Sequence, residues 1–252
     1  MKKIAVAIVL ILIVICFITF LIVKKMSEKE IAAQINGACK IDQDYVTVVL
    51  IDDTDKIELQ GQGAKSLVQR LAREAPRFSR FAIYRLSDLT ARGIKPVMEQ
   101  CNPFGANDKA DMWTENENEL RRAKNAFQKG IAKVTENLLD IREKDRSPIM
   151  EAVYSIAVSE FDLLKQDAEK HLVVISDMLQ NTDDFSVFRS NPLPDFDLFK
   201  RRPYYQRLAT DSLNDVRVSV FMINKNKRQT EKLKEFWTDY FKDQGAFLKF
   251  VR

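Results

Sequence analysis

Two aspartates stand where buried strands are predicted to end. Asp52 directly follows the nearly unbroken apolar run Tyr45–Ile51, and Asp177 ends a second such run over residues 171–177. Runs of this kind are typical of strands buried on both faces of a parallel sheet. Ligands of such sheets lie beyond the carboxyl ends of the strands. Carboxylates buried there need a cation, and their hard oxygen atoms suit Mg²⁺ or Mn²⁺, so this edge is the candidate site.

The segments around these two strands predict the sheet that positions them. Helical periodicity covers residues 64–75, 120–142 and the segment opened by Ser147-Pro148, and a final helix carries the stripe Leu233, Phe236, Trp237, Tyr240 and Phe241. The other strands are predicted at 81–86, 96–100, 216–224 and 246–251, and 180–210 is predicted to be irregular. This alternation predicts an α/β fold, a doubly wound, mostly parallel six-stranded sheet with helices on both faces.

Four segments along residues 45–252 resemble a von Willebrand factor A domain. The loop after Ile51 resembles the first part of the family's Asp-x-Ser/Thr-x-Ser metal motif, and a later hydroxyl and a distal acid follow in the family's order. The resemblance implies a divalent cation bound by Asp52, Thr54, Ser147 and Asp177. The sequence is most similar to a bacterial, membrane-anchored branch of that family.

One residue departs from the family's motif, because the third position of the loop is Lys56 instead of serine. An ammonium group has no lone pair for a metal and repels it. Lys56 can point outward while Asp55 or water fills the position, and the site then keeps Mg²⁺ or Mn²⁺. Alternatively Lys56 itself neutralises Asp52 and Asp177, and the site is metal-free. Both alternatives stay open.

Simpler structural roles are also open for several polar residues. Ser147 before a proline is a typical helix N-cap, and Thr54 after a strand can cap a turn. We expect Asp53 and its neighbour Asp55 to be solvated. The single histidine, His171, is expected to be a surface or edge residue.

The first 25 residues differ from the rest of the chain. Residues 4–23 are apolar except Thr19, with lysines on both sides. About 20 helical residues span about 30 Å, the thickness of a bilayer core, so residues 1–25 are predicted to be a single-pass transmembrane anchor. Residues 26–44 are then a stalk and 45–252 the vWA-like domain. We expect a bacterial inner-membrane protein.

The lysines and the cysteines of the sequence favour opposite orientations of the domain in the membrane. The lysines after the anchor slightly favour a cytoplasmic domain, but that rule is weak for long domains. Cys39 and Cys101 are the only cysteines of the soluble part, and such a pair in a translocated domain is often a disulfide, which favours a periplasmic domain. The family's antiparallel third strand implies that Cys39 and Cys101 meet. The alternative is two buried thiols.

Composition excludes several classes of function. A net charge of +4 gives no field for nucleic acid, and one histidine with no Gly-rich loop leaves no histidine-based or phosphate-cradling site. No nucleophile–base pair is present, so we expect no enzyme and no small-molecule substrate.

The predicted irregular segment is aromatic and basic, which suits a partner-contact loop or a loop ordered by packing. Its candidate contacts are Phe185, Phe188, Phe196, Phe199, Arg201, Arg202, Tyr204 and Tyr205.

These observations favour a membrane-anchored, non-enzymatic protein-binding or assembly module, whose partner supplies a carboxylate to the bound cation. Two alternatives remain. One is a scaffold with a metal-free site, and the other is a metal-dependent hydrolase that uses the same acids.

Overall fold

A computed structural model of the chain describes residues 12–26, 39, 44–54, 61–104, 117–136, 145–162, 164–190, 192–223 and 227–251. Six strands occur among them: β1 (Tyr45–Ile51), β2 (Arg80–Arg85), β3 (Met98–Cys101), β4 (Glu169–Ser176), β5 (Val216–Met222) and β6 (Phe247–Val251). They form one sheet in the order β3-β2-β1-β4-β5-β6. Every pair is parallel except β2 and β3. The predicted mostly parallel sheet and its antiparallel third strand are confirmed.

Helices cover both faces of this sheet. In chain order the described helices are α1 (residues 12–26), which precedes the sheet and does not pack on it, and then α2 (Gly61–Glu74), α3 (Glu117–Glu136), α4 (Ile149–Ile156), α5 (Phe196–Phe199), α6 (Pro203–Leu208) and α7 (Glu231–Asp243). Successive strand side chains point to opposite faces. Val48 and Leu50 of β1 therefore pack with α4, α6 and α7, whereas Val49 and Ile51 pack with α2 and α3. The two faces account for the continuous apolar run of β1.

The N-terminal region is described only in part. Residues 12–26 form α1, and their apolar side chains are exposed. In the part of the chain that the structure describes, no helix combines the length and apolarity needed to cross a membrane. Residues 1–11 of the predicted anchor and residues 27–38 and 40–43 of the predicted stalk lie outside the described residues.

Cys39 and Cys101 form a disulfide, with their Cα atoms 5.1 Å apart, so the implied pairing is confirmed and the alternative of two thiols is wrong. Cys101 pairs with Arg80, the first residue of β2, so the bond lies at the edge where the parallel strands begin. The next residue, Asn102, is fully buried, and its side-chain amide donates to the carbonyls of Ala72 and Ala75 at the end of α2. The disulfide is therefore continuous with the packing of α2.

Candidate functional site

Asp52 lies at the centre of a cluster of hydroxyl groups. Its backbone N–H donates to the carbonyl of Ile175 at 2.9 Å, which holds it beside the end of β4. Its Oδ1 accepts hydrogen bonds from Thr54 N at 3.2 Å and Thr54 Oγ1 at 2.7 Å. Its Oδ2 accepts from Ser176 Oγ at 2.7 Å and Ser147 Oγ at 3.2 Å. Three separate segments thus direct hydroxyl groups at one carboxylate.

The carboxylate of Asp52 is almost completely buried, with 6% of the residue exposed. Burial raises the pKa of Asp52, and the hydrogen bonds from Ser176, Thr54 and Ser147 oppose that rise. No lysine or arginine of the described segments forms an ion pair with it. A buried negative charge without a cation is costly. Among the described residues, the carboxylate of Asp52 therefore has only neutral hydrogen-bond donors, which are three hydroxyl groups and the backbone N–H of Thr54.

Asp177 follows Ser176 at the same edge of the sheet and is 8% exposed. Its Oδ1 accepts from Leu179 N at 2.9 Å. The next residue, Met178, has φ = 61°, a left-handed backbone that a non-glycine residue rarely adopts. Trp237 Nε1 donates to the Met178 carbonyl at 2.9 Å, and Met178 N donates to Ser176 Oγ at 2.8 Å. Hydrogen bonds from Trp237 and to Ser176 therefore fix the loop that carries Asp177.

Ser147 does not cap the following helix. Helix α4 begins at Ile149, so its N-cap position is Pro148, whose side chain accepts no hydrogen bond from the helix. Gln180 Oε1 accepts instead from Met150 N at 3.0 Å, and Ser147 exchanges two backbone hydrogen bonds with Asn181. Because Gln180 takes the capping role, the Ser147 hydroxyl is directed at Asp52. The N-cap alternative is wrong.

Asp53 and His171 also differ from expectation. Asp53 is 2% exposed, and its carboxylate pairs with Arg85 at 2.7 Å and accepts from Ser87 N and Oγ. The prediction that Asp53 is solvated is wrong, because a cation of β2 meets it. His171 lies in β4, between β1 and β5, and contacts Ser219 Oγ at 2.9 Å. Because this strand is internal and His171 is half-buried, the prediction of a surface or edge residue is wrong. Burial, followed by the charge of Arg217, lowers the pKa of His171 to about 4.

The aromatic residues of the predicted irregular segment are mostly core. Phe185, Phe199, Tyr204 and Tyr205 are at most 6% exposed, and Phe196 packs among them. These rings meet Phe236 and Tyr240 of α7, as in the Phe199–Phe236 pair at 5.0 Å between centroids. The packing alternative therefore holds for these five rings. Arg201, Arg202 and Phe188 are exposed and remain candidate contacts.

The site is made of hard oxygen donors. It contains two carboxylates, Asp52 and Asp177, and three hydroxyls, of which that of Ser176 was not predicted from the sequence. In the described segments there is no group of three or more His, Cys, Asp or Glu side chains that could hold a metal. Hydroxyl, carboxylate and water oxygens nevertheless match the preference of Mg²⁺. Lys56 and Asp55 lie outside the described residues.

Comparisons with known proteins give no family assignment. No protein-family model matches the chain, and no curated protein matches it. Solved structures that resemble it include the PilB minor pilin from Streptococcus sanguinis, with 13% identity and a TM-score of 0.45 over 83% of this chain. The chain spans only 57% of that pilin chain. An aerotolerance-related membrane protein from Bacteroides fragilis has 10% identity and a TM-score of 0.39, over 82% of this chain and 92% of its own. Likenesses this weak carry no inference about function.

Proposed function

We propose that this protein is a membrane-anchored, non-enzymatic module of the von Willebrand factor A type that binds a partner protein at the edge formed by Asp52 and Asp177. The single observation that carries the proposal is the buried Asp52 carboxylate, with the hydroxyls of Thr54, Ser147 and Ser176 directed at it. The antiparallel third strand, which the resemblance implied, supports the same assignment. Partner binding explains why polar groups are gathered at an edge where ligands of α/β sheets bind.

A divalent cation is the second part of the proposal. Asp52, Thr54, Ser147 and Asp177 would hold Mg²⁺ or Mn²⁺, with Ser176 positioning Asp52. The bound ion would supply a coordination position that a partner's carboxylate completes. The cost of burying Asp52 with only neutral donors around it supports an added positive charge. In the metal-free alternative, Lys56 supplies that charge.

The disulfide supports an orientation for the module. Cys39 is bonded to Cys101 at the edge where the parallel strands begin, and Asp52 lies at the opposite edge. The seven residues of β1 separate the two edges by about 23 Å, at about 3.3 Å per residue. The predicted anchor precedes Cys39, so the site would face away from the membrane. A disulfide belongs to an oxidising compartment, which favours the periplasm.

The side chains at the site support a binding role over an enzymatic one. The hydroxyls of Thr54, Ser147 and Ser176 all donate to Asp52, and the one histidine of the sequence, His171, contacts Ser219 instead. Activation of a hydroxyl nucleophile requires an adjacent base of suitable pKa. These hydroxyls therefore suit ligand binding better than attack on a substrate.

Quantitative capture from native membranes tests the proposal. The full-length tagged protein is cross-linked in its own membranes with Mg²⁺ or with EDTA, and the captured proteins are quantified. We expect one set of partners to be lost in EDTA and in Asp52→Asn. The control Asp239→Asn removes an exposed aspartate from α7 and should retain them. Identical capture by the wild type and Asp52→Asn would contradict the proposal.

A further inference from the structure

A groove of about 560 Å³ begins at the candidate site. Thr54, which donates to Asp52, is one of the residues that line it. One wall is the segment after β2, with Leu86 and Leu89, and the other is α4, with Tyr154. Leu208 of α6 also contributes to it. The groove has the volume of a typical ligand site and an apolar lining.

Hydrogen bonds join the two walls of the groove to each other. Thr90 and Gly93 exchange two backbone hydrogen bonds and so close a tight turn that contains Ala91. Ser155 Oγ of α4 accepts from Ile94 N at 3.1 Å, which joins this turn to the helix. A Cβ on Gly93 would lie 2.9 Å from Ser155 Oγ, and the φ of Gly93 is +100°, so glycine permits this contact. A groove with preformed walls loses little entropy when it binds a ligand.

The charge fixed in the groove is negative. Glu151 of α4 lines it and is half-buried, and its Oε2 accepts from Gln180 Nε2 at 3.0 Å. Gln180 is itself fully buried and also donates to Tyr204 OH at 2.9 Å, so the Glu151 carboxylate is held in place. The other charged lining residue, Arg146, has 64% of its side chain exposed, and its ion pair with Asp183 is long, at 3.9 Å. Arg146 is therefore an exposed charge at the rim, and Glu151 is the charge held by a buried hydrogen-bond partner.

We propose that this groove binds a segment of the partner protein in which a large apolar side chain lies next to a lysine or arginine. The apolar side chain packs between Leu86, Leu89 and Tyr154, and the basic group pairs with Glu151. This inference rests on the proposed function, because it identifies the partner that docks at the same edge. It assigns the partner's specificity to the groove, whereas the Asp52 cluster supplies cation dependence.

The test is selection from a library of short random linear peptides displayed on phage, using the full-length protein in lipid nanodiscs and empty nanodiscs for subtraction. Enriched peptides are synthesised, and their affinity is measured for the wild type, Ala91→Trp and Glu151→Gln. Ala91→Trp fills the groove, whereas its control Arg92→Trp adds the same ring at the neighbouring exposed position, which does not line the groove. Glu151→Gln keeps an acceptor for Gln180 but removes the charge.

We expect enriched peptides to combine a large apolar residue with an adjacent Lys or Arg. Their affinity should fall at least roughly tenfold in Ala91→Trp and roughly tenfold in Glu151→Gln, the order expected for a hydrogen bond between charged groups, and stay unchanged in Arg92→Trp. No enrichment over empty nanodiscs, enrichment without that pattern, or equal binding by Ala91→Trp would overturn the proposal. Peptides that lose affinity for Ala91→Trp but bind Asp52→Asn as well as the wild type would support the groove, even if cation-dependent capture fails.

Discussion

Replacement of Asp52 by asparagine separates the charge of the site from its shape. Asparagine keeps the size of the side chain and one oxygen acceptor, but it cannot ionise. Burial raises the pKa of Asp52 above its ordinary value of 3.8 in the folded protein. A raised folded-state pKa means that the folded protein binds the proton more tightly than the unfolded chain does. The stabilising contribution is therefore complete below about pH 3.8 and is lost as the pH rises through the folded-state pKa.

The expected size of this effect follows from one proton at one carboxyl group. In EDTA, the free energy of unfolding of the wild type relative to Asp52→Asn should fall as the pH rises above about 3.8, by at most about 1.4 kcal/mol per pH unit. The fall should stop above the folded-state pKa of Asp52. Because all other groups are shared by both proteins, their contributions cancel in the difference.

Urea unfolding of the full-length proteins, followed by tryptophan fluorescence across the pH range, measures this difference. Trp237 is fully buried and bonded to the Asp177–Met178 loop, so it reports on the region of the site. The exposed-site control Asp239→Asn should run parallel to the wild type. A constant difference between the wild type and Asp52→Asn at every pH would refute the argument that burial raises the pKa of this carboxyl group more than its hydrogen bonds lower it.

Three further predictions concern the fold that supports the site. Reduction of the Cys39–Cys101 disulfide, which closes a loop of 62 residues, should lower the free energy of unfolding by about 4 kcal/mol, measured as urea melts with and without dithiothreitol; an unchanged midpoint would count against a structural bond. Phe185→Ala should lower the free energy of unfolding by about 4 kcal/mol in urea melts, because Phe185 is 3% exposed, whereas Phe188→Ala should lower it much less, because Phe188 is 37% exposed. Equal losses of stability in the two variants would contradict the packing of this segment. NMR titration of His171 should give a pKa near 4, below its usual 6.5. Its neutral form therefore stabilises the fold above pH 6.5, and that contribution is lost as the pH falls towards 4. A pKa near 6.5 would contradict the burial of this side chain.

The strands and the edge of the site could be predicted because they depend on local patterns. Apolar β-branched runs identify strands without knowledge of their neighbours, and parallel direction alone brings Asp52 and Asp177 to one edge. Ser176 could have been found by the same reasoning, since it immediately precedes Asp177 at the end of the same strand. Its hydroxyl donates to Asp52 at 2.7 Å.

Long-range pairings could not be predicted in this way. The burial of Asp53 depends on Arg85, which lies 32 residues later in the chain and reaches it only once β1 and β2 are paired. The direction of the Ser147 hydroxyl depends on Gln180, which replaces it at the start of α4. In both cases the local pattern was compatible with two roles, and a distant side chain decided between them.

Burial of the aromatic segment had a signal in the sequence that local analysis did not use. The stripe of α7 presents Phe236 and Tyr240 on one face, and a helix face of this kind must be covered. Phe199 packs on Phe236, and Tyr205 on Tyr240. Matching the two aromatic groups would have favoured packing over partner contact.

The most direct test of the account is thermal unfolding of the full-length protein in EDTA and then in excess Mg²⁺ or Mn²⁺, with Asp52→Asn in parallel. A cation at about 100 times its Kd should stabilise the folded state by about 2.7 kcal/mol. We expect a clear rise in the Tm of the wild type and none in that of Asp52→Asn. No rise in the wild type, or an equal rise in both proteins, would contradict a cation site at Asp52.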